Sequence, residues 1–278
     1  REPFDLAGAG LLVLAMSSLL LAINQARHLG TGELGAIALA VVALASLAGF
    51  VVRSAWAERP IIDLGYFRSA NFSIGVAGNV LINLAGFAVL LFVPYYLARI
   101  GGFSTGVAGF ILAAGPIGTM LGSPLAGWFS GRRDPRYIAF TGAALVGVGL
   151  YGIAHWQVGT GAVLLVLALI VQGVGIAFNQ VAYADLVTGT MPRQDRGVAG
   201  SLSMVTRTFG VVMAASLLSL LFQNLEAAVA GAGATALDGF LASFQMTFTV
   251  AALLPAAVLL VNVIYAGLNR ASRSRSVR

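Results

Sequence analysis

Eight apolar runs constrain what this chain can fold into, at about 6–26, 34–52, 71–97, 105–129, 137–155, 161–184, 199–222 and 241–268. Most exceed the roughly 20 residues that an α-helix needs to cross about 30 Å of hydrocarbon. They are too long for barrel strands and hold few period-2 stretches, which leaves helices as the spanning structure. The chain therefore reads as an all-α polytopic membrane protein with eight transmembrane helices. Charged residues make up 9% of it, against about 25% in soluble domains, too few to cover a soluble core of this size.

All sixteen positive charges are arginines, and they fall in alternate gaps between the runs. Arg1 precedes the first run. Arg53, Arg59 and Arg68 follow the second, Arg132, Arg133 and Arg136 the fourth, Arg193 and Arg196 the sixth, and Arg270, Arg273, Arg275 and Arg278 close the chain. The other gaps carry only Arg27 and Arg99, and Arg207 lies inside a run. Positive charge is retained on the cytoplasmic side during insertion, so both termini are expected in the cytoplasm and the protein in the plasma membrane. Short arginine-bearing loops beside spans suit membrane lipids with anionic headgroups. With no base-stacking aromatics interleaved, the net charge of +6 does not point to nucleic acid.

Cysteine is absent, which removes disulfides, thiolate catalysis and Cys-ligated metals. His28 and His155 lie at run ends without a second ligand at helical spacing. No cofactor, metal site or catalytic grouping is expected, and the chain does not read as an enzyme. It opens on Arg1-Glu2-Pro3 rather than methionine, and the sequence-based expectation is a fragment of something longer.

Glycines are concentrated inside the runs. Gly118 and Gly122 form a GxxxG pair, with Gly109, Gly115, Gly142, Gly147, Gly173 and Gly175 also within runs. In a bilayer such residues let helix backbones approach closely. Pro94, Pro116, Pro124 and Pro255 would kink their helices. Four segments are expected: a two-helix pair over 1–56, an interfacial linker over 57–70, a six-helix unit over 71–268 and a basic tail over 269–278. The six-helix unit divides into 71–155 and 161–268, the spacing of a three-helix unit repeated in opposite orientation.

The most specific motif runs from Gly122 to Arg136. Pro124-Leu125-Ala126-Gly127 forms a glycine-rich helix end, and Arg132, Arg133 and Arg136 follow. It resembles the cytoplasmic loop of the major facilitator superfamily, although Gly131 stands at the acidic position and Asp134 at the later glycine. Val93-Pro94-Tyr95-Tyr96-Leu97 with Phe103 to Gly109, and Met191 to Gly200 with Arg207 to Gly210, resemble the fourteen-helix drug:proton antiporter branch. The resemblance implies a carboxy-terminal half whose amino-terminal six-helix half is missing. In that family the first helix of each three-helix unit lines the central cavity.

Polar residues at membrane depth are costly unless they face a cavity or a partner. At 1.5 Å per residue, Asn79 and Asn83 lie roughly 12–18 Å into the third run and share one helix face. Gln172 and Arg207 lie at about 17 and 14 Å into theirs. These four are the substrate-cavity candidates, with helix-to-helix hydrogen bonding as the competing reading. Asn179, Gln180 and Asp185 form a candidate inner gate, Asp185 being near the cytoplasmic interface. Phe87, Phe92, Tyr95 and Phe178 read as packing, and Arg99 and His155 as outer-rim residues. The expected function is half of a proton-coupled exporter of hydrophobic or cationic compounds. Small-molecule substrate and protons would be shared with the missing half. A nutrient or organic-anion permease and a non-transporting scaffold subunit are the alternatives.

Overall fold

A computed structural model describes residues 5–26, 33–57, 64–192, 196–231, 233 and 235–275. Arg1, Arg27, His28, Arg59, Arg193, Arg278 and part of the 57–70 linker lie outside the described residues. The described residues form eight α-helices and one 3-10 turn, with no strand among them. The helices are α1 (Leu6–Ala26), α2 (Glu33–Trp56), α3 (Ala70–Arg99), α4 (Thr105–Ser130), α5 (Pro135–Ala154), α6 (Ala162–Thr190), α7 (Arg196–Gly231) and α8 (Ala236–Arg275). The turn, Leu64–Arg68, lies between α2 and α3. Seven helices, α2 to α8, are long and apolar enough to cross a membrane, and α1 adds a shorter apolar stretch over Leu6–Ala22. The protein is a multi-pass membrane protein.

Several helices outrun the apolar runs that announce them. The run at 199–222 belongs to a helix ending at Gly231, and α8 continues through Arg275 where a tail was expected from 269. Hydropathy marks the stretch inside hydrocarbon, whereas the backbone ladder continues wherever no residue interrupts it. Pro94, Pro116, Pro124 and Pro255 all sit within continuous helices.

The two three-helix units are interleaved rather than side by side. α4 and α5 pack mainly on α6, α3 packs on α7 and α8, and α5 also meets α8. Exchanging α3–α5 with α6–α8 turns the pair α4–α6 into α7–α3 and α5–α6 into α8–α3, and all four pairs are in contact. This is the pattern of an inverted repeat. Glycine makes the closest crossings possible. A Cβ on Gly173 would collide with the Gly115 carbonyl oxygen, and one on Gly118 with that of Ile170, both between α4 and α6. A Cβ on Gly175 of α6 would stand 2.5 Å from the Val146 nitrogen of α5, and one on Gly210 of α7 2.5 Å from the Val80 carbonyl oxygen of α3. Gly109 and Gly127, by contrast, face open space.

One end of the bundle is filled by aromatics. Phe240, Phe244 and Phe248 of α8 are buried at i, i+4 spacing, with Phe244 stacked on Tyr96 at 4.9 Å and Phe222 on Phe92 at 4.9 Å. Phe178 is buried as well, whereas Tyr95 is exposed. Arg99 approaches the Phe240 ring at 5.4 Å, and His155 caps α5.

α1 and α2 pair with each other and meet the remainder through α1 on α7 and α2 on the 3-10 turn. Asp5 ties the pair together at the arginine-bearing end of α2. Its carboxylate accepts from the Gly8 N–H at 3.0 Å, capping α1, and from Arg53 Nε at 3.2 Å. The Gly8 bond, assisted by Arg53 and opposed by desolvation, holds this carboxyl below the ordinary aspartate range.

Gly173→Ala should destabilise the α4–α6 crossing, because the opposing atoms are backbone and cannot swing aside. Overpacking of this kind costs about 1–3 kcal/mol. Thermal unfolding in detergent should show a lower midpoint for Gly173→Ala and an unchanged one for Gly127→Ala, where an added Cβ meets nothing. Equal midpoints would mean that the crossing is looser than described.

Candidate functional site

Three helices place polar side chains at the same depth, two amides and a hydroxyl. Asn79 lies ten residues into α3, Thr206 eleven into α7 and Asn179 twelve back from the end of α6. Each is therefore about 15 Å from the end of the bundle that carries the Arg132–Arg136 loop. Asn79 is the hub and is only 4% exposed. Its Nδ2 donates to Thr206 Oγ1 at 3.1 Å, and its Oδ1 accepts from Asn179 Nδ2 at 3.0 Å and Asn83 Nδ2 at 3.1 Å. Asn83 Nδ2 also lies 2.8 Å from the Asn79 carbonyl. The Thr206 hydroxyl donates to the Leu202 carbonyl at 2.9 Å and lies 3.3 Å from the Tyr183 hydroxyl. The knot joins α3, α6 and α7 through neutral groups alone. It supplies no group that ionises near neutral pH.

The structure thus brings Asn79 and Asn83 together with Asn179, which the sequence grouped with Gln180 and Asp185. Thr206 and Tyr183 were missed. Tyr183 follows Asn179 by four residues and so shares its helix face, which was the available signal. Thr206 was overshadowed by the arginine beside it. Gln172 is buried about two turns from Asn179, where its backbone fills the space beside Gly149 of α5. Its side-chain Nε2 lies near Gly86, where a Cβ would stand 3.1 Å away.

Arg207 points away from the knot. It is exposed on α7, and no carboxylate among the described residues lies within ion-pair distance. Gln180 is half-buried. Asp185, also half-buried, accepts a hydrogen bond from Ser130 and so links the ends of α6 and α4. It lines a cavity of about 500 Å³ at the arginine-bearing end, between α3, α5, α6 and α8.

The loop motif is explained piece by piece. Gly122 packs on Val174 and Ala177 of α6, while Pro124 and Gly127 are exposed. Arg132, Arg133 and Arg136 are exposed, with the Arg132 guanidinium 4.1 Å above the Trp128 ring. Asp134, which stands where the resembling family has glycine, caps α5 by accepting from the Arg136 N–H at 2.9 Å.

The family model of the Major Facilitator Superfamily matches residues 75–277. Among curated proteins, the chain is 29% identical over 222 residues to a tetracenomycin C resistance and export protein of Streptomyces glaucescens, covering 77% of this chain and 41% of that protein. It is 26% identical over 232 residues to the multidrug export protein EmrB of Escherichia coli (strain K12), covering 81% and 44%. It is 25% identical over 222 residues to the riboflavin transporter RibZ of Clostridioides difficile (strain 630), covering 80% and 47%. A crystal structure of a bacterial homologue of the human lysosomal transporter Spinster shares the fold, with a TM-score of 0.57 at 12% identity over 90% of this chain and 67% of that one. This chain belongs to the major facilitator superfamily. It spans under half the length of each of these three curated relatives.

Asn79→Ala should cost more stability than Asn83→Ala, because Asn79 holds partners on two other helices and Asn83 bonds only Asn79. Stranding buried amides costs about 1–3 kcal/mol in water-soluble proteins. In membranes single bonds average about 0.6 kcal/mol, so a loss near 1 kcal/mol is expected. Unfolding in mixed detergent should rank wild type above Asn83→Ala above Asn79→Ala, and the reverse order would remove Asn79 from the hub.

Proposed function

We propose that this chain is the carboxy-terminal half of a secondary transporter of the drug:proton antiporter branch, exporting hydrophobic or cationic compounds from the cytoplasm. The observation that carries this reading is the match of residues 75–277 to the superfamily, together with export proteins among the curated relatives. Under it, α3 to α8 form one six-helix half and α1–α2 the pair that connects it to an amino-terminal half. The arginine-bearing loops face the cytoplasm of a plasma-membrane protein. A reporter fused after Gly131 should read inside and one after Gly233 outside, and the same side for both would overturn the orientation.

Cargo is recognised in a cavity shared by the two halves. The knot around Asn79 leaves this half few free polar groups at mid-depth, and Arg207 is the exposed charge there. An arginine near the middle of a span costs roughly 2.5–3.5 kcal/mol on insertion scales. Its exposure favours a partner on the other half, such as a carboxylate, over a bridge within this one. The riboflavin transporter among the relatives supports a second reading, a permease in which Arg207 meets an anionic or polar substrate.

In the complete transporter, Arg207→Ala should leave abundance intact and reduce efflux of a fluorescent cationic dye by about tenfold or more, with Arg207→Lys recovering only part because it lacks the planar fork of donors. Normal efflux at normal abundance would show that Arg207 takes no part. Loss of abundance would instead assign it to packing.

A further inference from the structure

The cavity at the arginine-bearing end has a lining that neither the knot nor the central face explains. Its deepest polar residue is Asn179, which is 7% exposed. Asn179 Nδ2 is committed to Asn79, and its side-chain carbonyl accepts no hydrogen bond from any described residue. Asn262 on α8 repeats the pattern, donating to the Val258 carbonyl at 2.7 Å and keeping its own side-chain oxygen. Asn71 of α3 completes the amide lining, and Asp185 stands on the wall with one oxygen engaged by Ser130. At the rim Asp134 has one oxygen on the Arg136 N–H. Of the three loop arginines, Arg136 alone contributes to the lining.

These commitments give the cavity a chemical polarity. On Asn179 and Asn262 the side-chain oxygens remain free while each amide nitrogen spends one of its two hydrogens on a protein partner, and two carboxylates face one guanidinium. The excess of carboxylate over guanidinium, with free amide oxygens to accept, suits a hydrogen-bond donor that carries positive charge. The volume, about 500 Å³, accommodates several waters at roughly 30 Å³ each. Tyr183 lines the cavity and also touches Thr206, so cavity and knot share two residues, Asn179 and Tyr183. We infer that this cavity is a water-filled vestibule selective for small hydrophilic cations, such as hydronium and primary ammonium ions. It leads from the arginine-bearing surface to the base of the Asn79 knot, and Asp185 sets its preference for positive charge. In a cation-coupled transporter it gives this half its own path for the coupling ion. That purpose rests on the transport reading, whereas the selectivity is a property of the chain by itself.

The absence of native cysteine allows a direct test. Asn262→Cys and Ala139→Cys place single thiols in the vestibule, and Val261→Cys places one on the exposed side of the same turn of α8. The purified chain in lipid nanodiscs is exposed on both faces to a trimethylammonium or a sulfonate methanethiosulfonate reagent, so the outcome does not depend on orientation or on transport. Both vestibule thiols should react faster than Val261→Cys. Each should favour the cationic reagent by about tenfold or more beyond its preference for a free thiol, the scale on which a cleft of one charge concentrates counter-ions. Asp185→Asn should abolish that preference and Asp185→Glu retain it. Vestibule thiols that react no faster than position 261 would show a dry cavity and overturn the inference. Equal rates with the two reagents, or a preference unmoved by Asp185→Asn, would overturn the assigned selectivity. If Asp185→Asn fails to fold, the charge ratios at positions 139 and 262 in the otherwise native chain decide the matter.

Discussion

In hydrocarbon no water is present to take up a hydrogen bond, so each polar group at membrane depth must find its partner inside the protein or in a water-filled cavity. Asn79 meets that demand for three helices at once. One carboxamide satisfies Thr206 on α7, Asn179 on α6 and Asn83 on its own helix. Because α3 and α6 begin the two three-helix units, the knot sits where the interleaved halves of the repeat meet. The glycine crossings serve the same arrangement. Gly210 brings α7 against α3 near Val80, one residue from Asn79, and Gly142 brings α5 against the Asn179 nitrogen. Close backbones and short polar side chains are two parts of a single packing solution.

The outer surfaces follow from the same solvent. Leu90, Phe110, Met120 and Met204 are large, apolar and exposed, as expected where lipid or another transmembrane segment covers the surface. The buried residues are large aliphatics such as Ile82, Leu150 and Leu169, aromatics, small residues, and a few polar side chains. Among the described residues, what remains exposed and charged within the spans is confined to the helix ends, with Arg207 as the exception that motivates its functional assignment.

Helix number and order were legible because an apolar run of about twenty residues has few other fates. Packing partners were not. Gly118 and Gly122 announced a close contact, but nothing in the sequence said that α6 would fill it. Gly109 carries the same local signal and faces open space. Asn79 and Asn83 stood out as amides in an apolar run, whereas Thr206 did not, since a threonine can bond its own helix and is common in such runs. The end of the Asp185 helix was misjudged by six residues for a related reason. Hydropathy falls at the interface while α6 continues to Thr190, and the extension carries Asp185 to Ser130 and the cavity wall.

The claim on which the account turns is that Asn79 and Thr206 hold α3 and α7 together through one bond, so their energies are coupled. A double-mutant cycle with Asn79→Ala, Thr206→Val and both together, read by reversible unfolding in mixed micelles, measures that coupling directly. The account predicts a double variant less destabilised than the sum of the singles, by on the order of 0.6 kcal/mol or more. Strict additivity would contradict it, leaving the two side chains as neighbours without a shared bond.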